Sequence, residues 1–187
     1  PGLFSAIAGA MALCGASIVD AKVQTLSNGM ALDSFWIHDN ERTAYRNLRD
    51  LNRLQERLED ALQGKIRPAI ELEKAQKSTP PSRIRLFKVA PRVLIDNRAS
   101  RNHTVIEINS RDRLALLHDV TTSITYNGLQ ISSAHISTYG ERVVDVFYVK
   151  DIFGLKVDNE RKIGIVRKAL MEAIGGEVAK PKKAKAK

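Results

Sequence analysis

Two stretches of this chain run parallel to each other 113 positions apart. Leu3-Phe4-Ser5-Ala6-Ile7 stands against Leu116-Leu117-His118-Asp119-Val120. Gly15, Ile18, Ala21, Val23 and Thr25 stand against Gly128, Ile131, Ala134, Ile136 and Thr138. The spacing then drops to 112, where Asp33-Ser34-Phe35-Trp36-Ile37-His38-Asp39 meets Asp145-Val146-Phe147-Tyr148-Val149-Lys150-Asp151. A slip of one residue at Ser27-Asn28-Gly29 against Gly140-Glu141 is what a hairpin turn absorbs. A repeat of this size constrains the fold before any single residue does. The chain reads as two copies of one unit.

The second copy shows the unit in order. Thr104-Val105-Ile106-Glu107-Ile108 is β-branched and predicts a strand. Leu114 to Tyr126 carries apolar residues at 116, 117, 120 and 124, a helical face stopped by Asn127-Gly128. Leu129 to Tyr139 alternates, with Ala134, Ile136 and Thr138 on one face and Ser133, His135 and Ser137 on the other. Arg142 to Lys150 is a third strand. Asp158 or Asn159 caps a helix that buries Ile163, Val166, Leu170 and Ile174 and ends at Gly175-Gly176. The order β-α-β-β-α is one strand short of the ferredoxin-like βαββαβ unit.

The first copy follows with a helix over 3–14, strands over 17–26 and 30–38, and a helix over 43–62. That helix turns Leu51, Leu54, Leu58, Ala61 and Leu62 inward and ends at Gly64. A polar inserted loop, 65–91, contains Ser78-Thr79-Pro80-Pro81 and a short strand at Ile84–Val89. Arg92-Val93-Leu94-Ile95-Asp96 is expected to close the first copy's sheet. The opening strand of this copy is missing, and the chain starts at Pro1 without Met, as expected of a segment cut from a longer polypeptide. Leu3 to Ala16 is apolar but lacks the basic start of a signal peptide. The expected fold class is therefore α+β, with two tandem ferredoxin-like modules, the first lacking its opening strand. The modules span 1–98 and 99–176, and a disordered Lys-rich tail spans 177–187.

The charge of +9 is unevenly spread. Residues 42–101 hold 15 bases against 7 acids, residues 102–176 hold 9 of each, and the tail holds 5 Lys against 1 Glu. The second copy is thus neutral, which argues against nucleic acid as a partner. No apolar run approaches the ~18 residues of a membrane span. The only cysteine, Cys14, excludes an intrachain disulfide and a cysteine zinc site. A reducing, cytoplasmic setting is expected.

No catalytic set presents itself. His38, His103, His118 and His135 stand apart, without metal-ligand spacing. His118 is expected on a helix surface and His135 on a solvated strand face. Arg42, Arg46, Arg49, Arg53 and Arg57 line one helix face, where Asp50, Glu56, Glu59 and Asp60 pair with them along the helix. Asp33 and Asp145 occupy matching strand positions among apolar neighbours, and each needs a partner.

The places suited to a ligand are the two strand-to-helix turns. The first backbone N–H groups of a helix are unpaired and sit at the positive end of its dipole, a cradle for a carboxylate. In the first copy the turn is Pro1-Gly2-Leu3-Phe4, with Pro suited to the helix start and Gly allowing close backbone approach. In the second it is Asn109-Ser110-Arg111-Asp112-Arg113-Leu114-Ala115-Leu116, with Asp112 either capping the helix or holding an ammonium group and Ser110 as the other candidate cap. Gly15-Ala16-Ser17-Ile18 and Gly128-Leu129-Gln130-Ile131, the starts of the second strands, are expected to supply each turn's other wall. A zwitterionic amino acid meets these demands.

Pro1-Gly2-Leu3-Phe4 followed by Gly15-Ala16-Ser17-Ile18-Val19-Asp20-Ala21 resembles the ACT domain, a regulatory module that binds amino acids. Asn28-Gly29-Met30-Ala31-Leu32-Asp33-Ser34-Phe35-Trp36, the long interrupting loop and Arg111-Asp112-Arg113…Leu116-Leu117-His118-Asp119-Val120 narrow the likeness. They resemble the C-terminal tandem ACT region of the bifunctional PII-protein uridylyltransferase/uridylyl-removing enzymes. The resemblance implies L-glutamine as effector and the PII signalling protein as partner of the parent enzyme. It also implies catalytic domains upstream in the same chain that use Mg2+ or another divalent metal, with no cofactor in this segment. By position it implies an amino-acid site at Pro1, Gly2, Leu3 and Phe4 with Gly15, Ala16, Ser17 and Ile18. A second would lie at Ser110, Asp112, Arg113, Leu114, Ala115 and Leu116 with Gly128, Leu129, Gln130 and Ile131. Leu114-Ala115 stands where the family has Pro-Gly, so a narrower approach and a looser turn are expected there. Two other readings are an ACT pair from another amino-acid enzyme and an RNA-binding βαββαβ module. The latter calls for aromatics at alternate positions of one strand, whereas Phe147 and Tyr148 are adjacent and face opposite ways.

Overall fold

The computed structural model describes residues 2–26, 28, 30–38, 48–78 and 89–176. Pro1, Arg42, Arg46, helix positions 43–47, positions 84–88 of the expected short strand and the tail 177–187 lie outside the described residues. The elements are α1 (Leu3–Leu13), β1 (Ser17–Thr25), β2 (Ala31–His38), α2 (Leu48–Leu62), α3 (Pro68–Ser78) and β3 (Arg92–Asp96). They continue with β4 (Thr104–Arg111), α4 (Leu116–Tyr126), β5 (Leu129–His135), β6 (Thr138–Tyr139), β7 (Arg142–Asp151) and α5 (Glu160–Ala173). The order α1-β1-β2-α2 recurs as α4-β5-β7-α5, with the short β6 paired to β7.

Every strand pairing is antiparallel, β1 with β2 in one sheet and β3-β4-β7-β5 in the other. Alternation along the strands buries Ile106 and Ile108 of β4 and Val143, Phe147 and Val149 of β7. Val120 and Ile124 of α4, with Ile163, Val166 and Leu170 of α5, cover that face. Phe4, Ala21 and Val23 of the first copy belong to the same buried cluster. The copies therefore share a core, and β1 packs beside β5.

Asn159 caps α5, its side chain accepting the Lys162 N–H at 3.1 Å. Gly128, at φ +71, follows α4 as the stop expected there. The structure departs from expectation at three places. Arg92–Asp96 does not close the first copy's sheet. It pairs with β4, Val93 opposite Ile108 and Ile95 opposite Ile106, and so supplies the strand that seemed missing after α5. Residues 97–103 are a short link, and a hairpin across it closes at less entropic cost than a return across the insertion. The hairpin also covers a β4 edge that would otherwise present unpaired backbone. A buried polar knot fastens it: the Thr104 hydroxyl donates to Asn97 Oδ1 at 2.7 Å and accepts the Val157 N–H at 2.9 Å. Asn97 Nδ2 donates to the Val157 carbonyl at 2.6 Å.

The insertion is the second departure. Within 65–91 lies α3, with Pro68 at its first position and Leu72 buried. The third is α2, where Leu54 is buried against Met11 of α1 and Ala16 but Leu51 and Leu62 are exposed, because the helix lies chiefly on α1, which covers only part of its apolar face.

Candidate functional site

The two helices that follow the expected turns start in the same way. α1 begins after Gly2 at φ +84, and α4 begins after Ala115 at φ +64. Neither has a side-chain cap, so no side chain of the cap residue takes the first-turn N–H groups at the positive dipole end, although in α4 the first of them, that of Leu116, turns back to the Arg113 carbonyl. Ala115 is the one non-glycine among the described residues in the left-handed region. The turn has therefore kept the glycine-type shape despite its substitution, at about 1 kcal/mol of backbone strain.

Its neighbours hold that shape. The Asp112 N–H donates to the Glu141 carbonyl at 2.8 Å, and the Leu116 N–H to the Arg113 carbonyl at 3.1 Å. The Arg113 guanidinium meets the Asp119 carboxylate at 2.6 Å and the Ala173 carbonyl at 2.7 Å, tying the turn to the end of α5. Gln76 of α3 donates to the Leu114 carbonyl at 3.3 Å. The expected looser turn is thus not found, and neither Asp112 nor Ser110 caps the helix. Ser110 is buried in β4, its hydroxyl 3.4 Å from the Arg111 carbonyl.

The walls of the two sites are exchanged between the copies. The α4 turn, with Asp112, Arg113, Leu114, Ala115 and Leu116, shares a cavity of about 240 Å3 with Gly15, Ala16, Ser17 and Ile18. The α1 turn, with Gly2, Leu3 and Phe4, shares a cavity of about 520 Å3 with Leu129, Gln130 and Ile131. Each turn was expected to face the strand of its own copy, and each faces the strand of the other. The cause is β1 lying beside β5, which brings each strand's start against the opposite helix. The cavities are themselves related by the repeat. Ala12, Ala16, Ser17 and Ile18 line one, and Thr125, Leu129, Gln130 and Ile131, each 113 positions on, line the other. Ser110 and Gly128 line neither.

Residues missed in the sequence complete the walls. Ala8, Leu117 and His118 join the smaller cavity, and Asp33, Ser132 and Lys150 the larger. No local pattern marks them, because they meet only across the junction of the copies. His118 is not a surface residue. It is 7% exposed, and its Nδ1 lies 2.7 Å from the Ser5 carbonyl of α1. A carbonyl only accepts, so Nδ1 carries the proton.

The paired aspartates have separate fates. Asp33 lines the larger cavity, half-buried. Asp145 is 1% exposed and accepts the Ser137 N–H at 3.3 Å. Burial, with a further push from the charge of Asp112, raises its pKa to about 8 against that single favourable hydrogen bond.

Elsewhere the chemistry is modest. Burial raises the Cys14 thiol's pKa, against the pull of Arg53 and Arg57. His135 is exposed as expected and meets the Tyr148 ring edge-on, 6.2 Å between centroids. Arg57 pairs not along its own helix but with Glu71 of α3, at 3.5 Å. Among the described residues no group of three or more His, Cys, Asp or Glu could hold a metal. No helix among them is long and apolar enough to cross a membrane.

Residues 99–176 match the ACR family N-terminal ACT domain. The chain is 50% identical over 174 residues to the bifunctional uridylyltransferase/uridylyl-removing enzyme of Gluconobacter oxydans, covering 93% of this chain and 18% of that protein. It is 52% identical over 174 residues to the enzyme of that name from Azospirillum brasilense and 50% identical over 177 residues to that from Rhodospirillum rubrum. The chain spans about 18% of the length of these relatives. By its antiparallel α/β fold, its match to an ACT domain over residues 99–176 and its 50–52% identity, the chain is similar to part of the bifunctional uridylyltransferase/uridylyl-removing enzymes.

Proposed function

We propose that this chain is the glutamine-sensing regulatory region of a bifunctional uridylyltransferase/uridylyl-removing enzyme that controls uridylylation of the PII signalling protein. In this reading the repeat forms two tandem ACT modules, and L-glutamine is the effector. The catalytic domains, with their divalent metal, lie in the part of the parent enzyme outside this chain, which works in the cytoplasm. The observation that carries the reading is the exchange of walls: each cavity is built from a helix start of one copy and a strand start of the other.

That construction gives a ligand something to regulate. A molecule whose carboxylate rests on the N–H groups of one copy and whose other end touches the second copy binds tightly only when the two are correctly placed. It therefore favours one arrangement of the copies over others, and differential affinity is the sole means by which a ligand shifts such an equilibrium. The relatives' shared name supports the enzyme class, and the ACT match supports an amino-acid effector.

Calorimetric titration of the chain with L-glutamine, with L-glutamate and L-asparagine as controls, tests this. Glutamine is expected to bind and raise the melting temperature more than either control. No heat and no thermal shift at millimolar glutamine would overturn the reading.

A further inference from the structure

Between β7 and α5 the chain turns through Asp151-Ile152-Phe153-Gly154-Leu155, and the turn is held from within. The Asp151 carboxylate accepts the N–H groups of Phe153 and Leu155, both at 2.9 Å. The Asp151 N–H donates to the Leu155 carbonyl at 2.8 Å, and the Gly154 N–H to the Asp151 carbonyl at 3.0 Å. A turn of this kind ordinarily carries polar side chains. Here Ile152, Phe153 and Leu155 are 62%, 79% and 64% exposed. One exposed apolar residue is ordinary, whereas three on one tight turn form a patch. The repeat shows that the unit does not need them. At the spacing of 112, Asp39 stands against Asp151, but Asn40, Glu41, Arg42 and Thr43 stand against Ile152, Phe153, Gly154 and Leu155.

Taking about 200 Å2 for a large apolar residue, the three expose on the order of 400 Å2. A stable interface between free partners covers roughly 800 Å2 on each side, so the patch is too small to hold a second copy or a separate protein by itself. Residues 102–176 carry 9 bases and 9 acids, which gives an anionic bilayer no electrostatic hold on it. A partner in the same polypeptide is different. The tether raises its effective concentration to about the millimolar range and removes most of the cost of association. In the relatives the matched segment is about 18% of the length, so most of such a protein is available as that partner. The turn also borders the larger cavity, whose wall includes Lys150 and Gly154. We propose that Ile152, Phe153 and Leu155 form the knuckle by which this region docks into an apolar pocket on the catalytic part of its parent enzyme. This rests on the reading of the chain as the regulatory region of a larger enzyme and adds the surface through which it makes contact. Because the turn is already rigid, docking orders little, and the contact lies one residue from the cavity wall.

The test is hydroxyl-radical footprinting read by mass spectrometry, on this chain alone and on the whole parent enzyme at equal concentration. Tyr139, 68% exposed on β6, is the internal control. The three knuckle side chains are expected to react about tenfold more slowly in the parent than in the chain alone, with Tyr139 unchanged. Phe153→Ser in the parent is expected to return Ile152 and Leu155 towards the rate of the chain alone, and Leu155→Ser to do the same for Ile152 and Phe153. Both variants should leave the melting temperature of the chain alone within about a degree, because the side chains they shorten face solvent. Equal knuckle reactivity in chain and parent, a slowing shared equally by Tyr139, or protection retained in both variants would overturn the proposal. Protection of the chain alone that rises with its concentration, or protection in the parent that fades on dilution, would place the partner in another molecule and overturn it too. So would protection of the chain alone by phosphatidylglycerol vesicles, which would make the occupant a lipid surface. The glutamine titration reads the sensor function and the footprint reads the docking, so either can fail without the other.

Discussion

His118 donates its Nδ1 proton to the backbone carbonyl of Ser5, 2.7 Å away, and Ser5 is the residue that occupies its own place in the other copy. The bond joins α4 to α1 where the repeat meets itself. His118→Ala removes the hydrogen bond that this helical carbonyl accepts from across the junction and opens a void between the helices, an expected loss of about 1–3 kcal/mol in urea unfolding. Gly9 tests the same contact from the other side. A Cβ there would lie 2.6 Å from Pro68 Cβ and 2.8 Å from His118 Nδ1. Gly9→Ala should therefore destabilise by about 1–3 kcal/mol despite alanine's better helix propensity.

The two helix starts invite opposite substitutions. Ala115→Gly relieves a left-handed backbone and gives back part of the gain to the looser unfolded chain, so a net stabilisation of about 0.5 kcal/mol is expected. Gly2→Ala, at φ +84 with only an ordinary contact to Ser5 Oγ at 3.7 Å, should cost about 1 kcal/mol through the backbone. Thermal melts of both variants measure the pair, and a destabilised Ala115→Gly would show that the turn is unstrained.

Asp145 makes stability depend on pH. Its ordinary pKa is 3.8 and its folded value about 8, so between these limits the native state holds a proton that the unfolded chain releases. Stability therefore falls as pH rises through this window, by at most about 1.4 kcal/mol per unit, and levels off above it. Asp145→Asn keeps an acceptor for the Ser137 N–H and has no charge to bury. It is expected to be the more stable form at pH 7.5 and to lose this slope, read by denaturant unfolding between pH 5 and pH 8.5.

Thr104 holds the β3 hairpin onto the second copy. Thr104→Val strands the Asn97 carboxamide oxygen and the Val157 N–H, both partners of its hydroxyl, with an expected loss of about 2–3 kcal/mol. Thr104→Ser keeps the hydroxyl and should recover most of it. Faster hydrogen exchange confined to Arg92–Asp96 in the valine variant would locate the damage.

The repeat, the antiparallel strands and the two helix starts were legible because each rests on local rules: apolar spacing of two or of 3.6, and a glycine or an Asn at a helix end. The helix in the insertion was missed because its apolar positions are few, and Leu72 becomes a core residue only when α1 lies beneath it. His118 was misplaced for a like reason, since a histidine early in a helix is surface until a second helix covers it.

By itself the sequence determined that the chain is a duplicated α/β unit and which turns offer backbone donors, because propensity and periodicity act over a few residues. Only the tertiary structure decided which strand faces which turn, that Arg92–Asp96 completes the second copy, and that Asp33 lines a cavity while Asp145 is sealed. Which strand faces which turn depends on how β1 settles beside β5, between residues more than a hundred positions apart, and the place of Arg92–Asp96 depends on which sheet edge the hairpin reaches first.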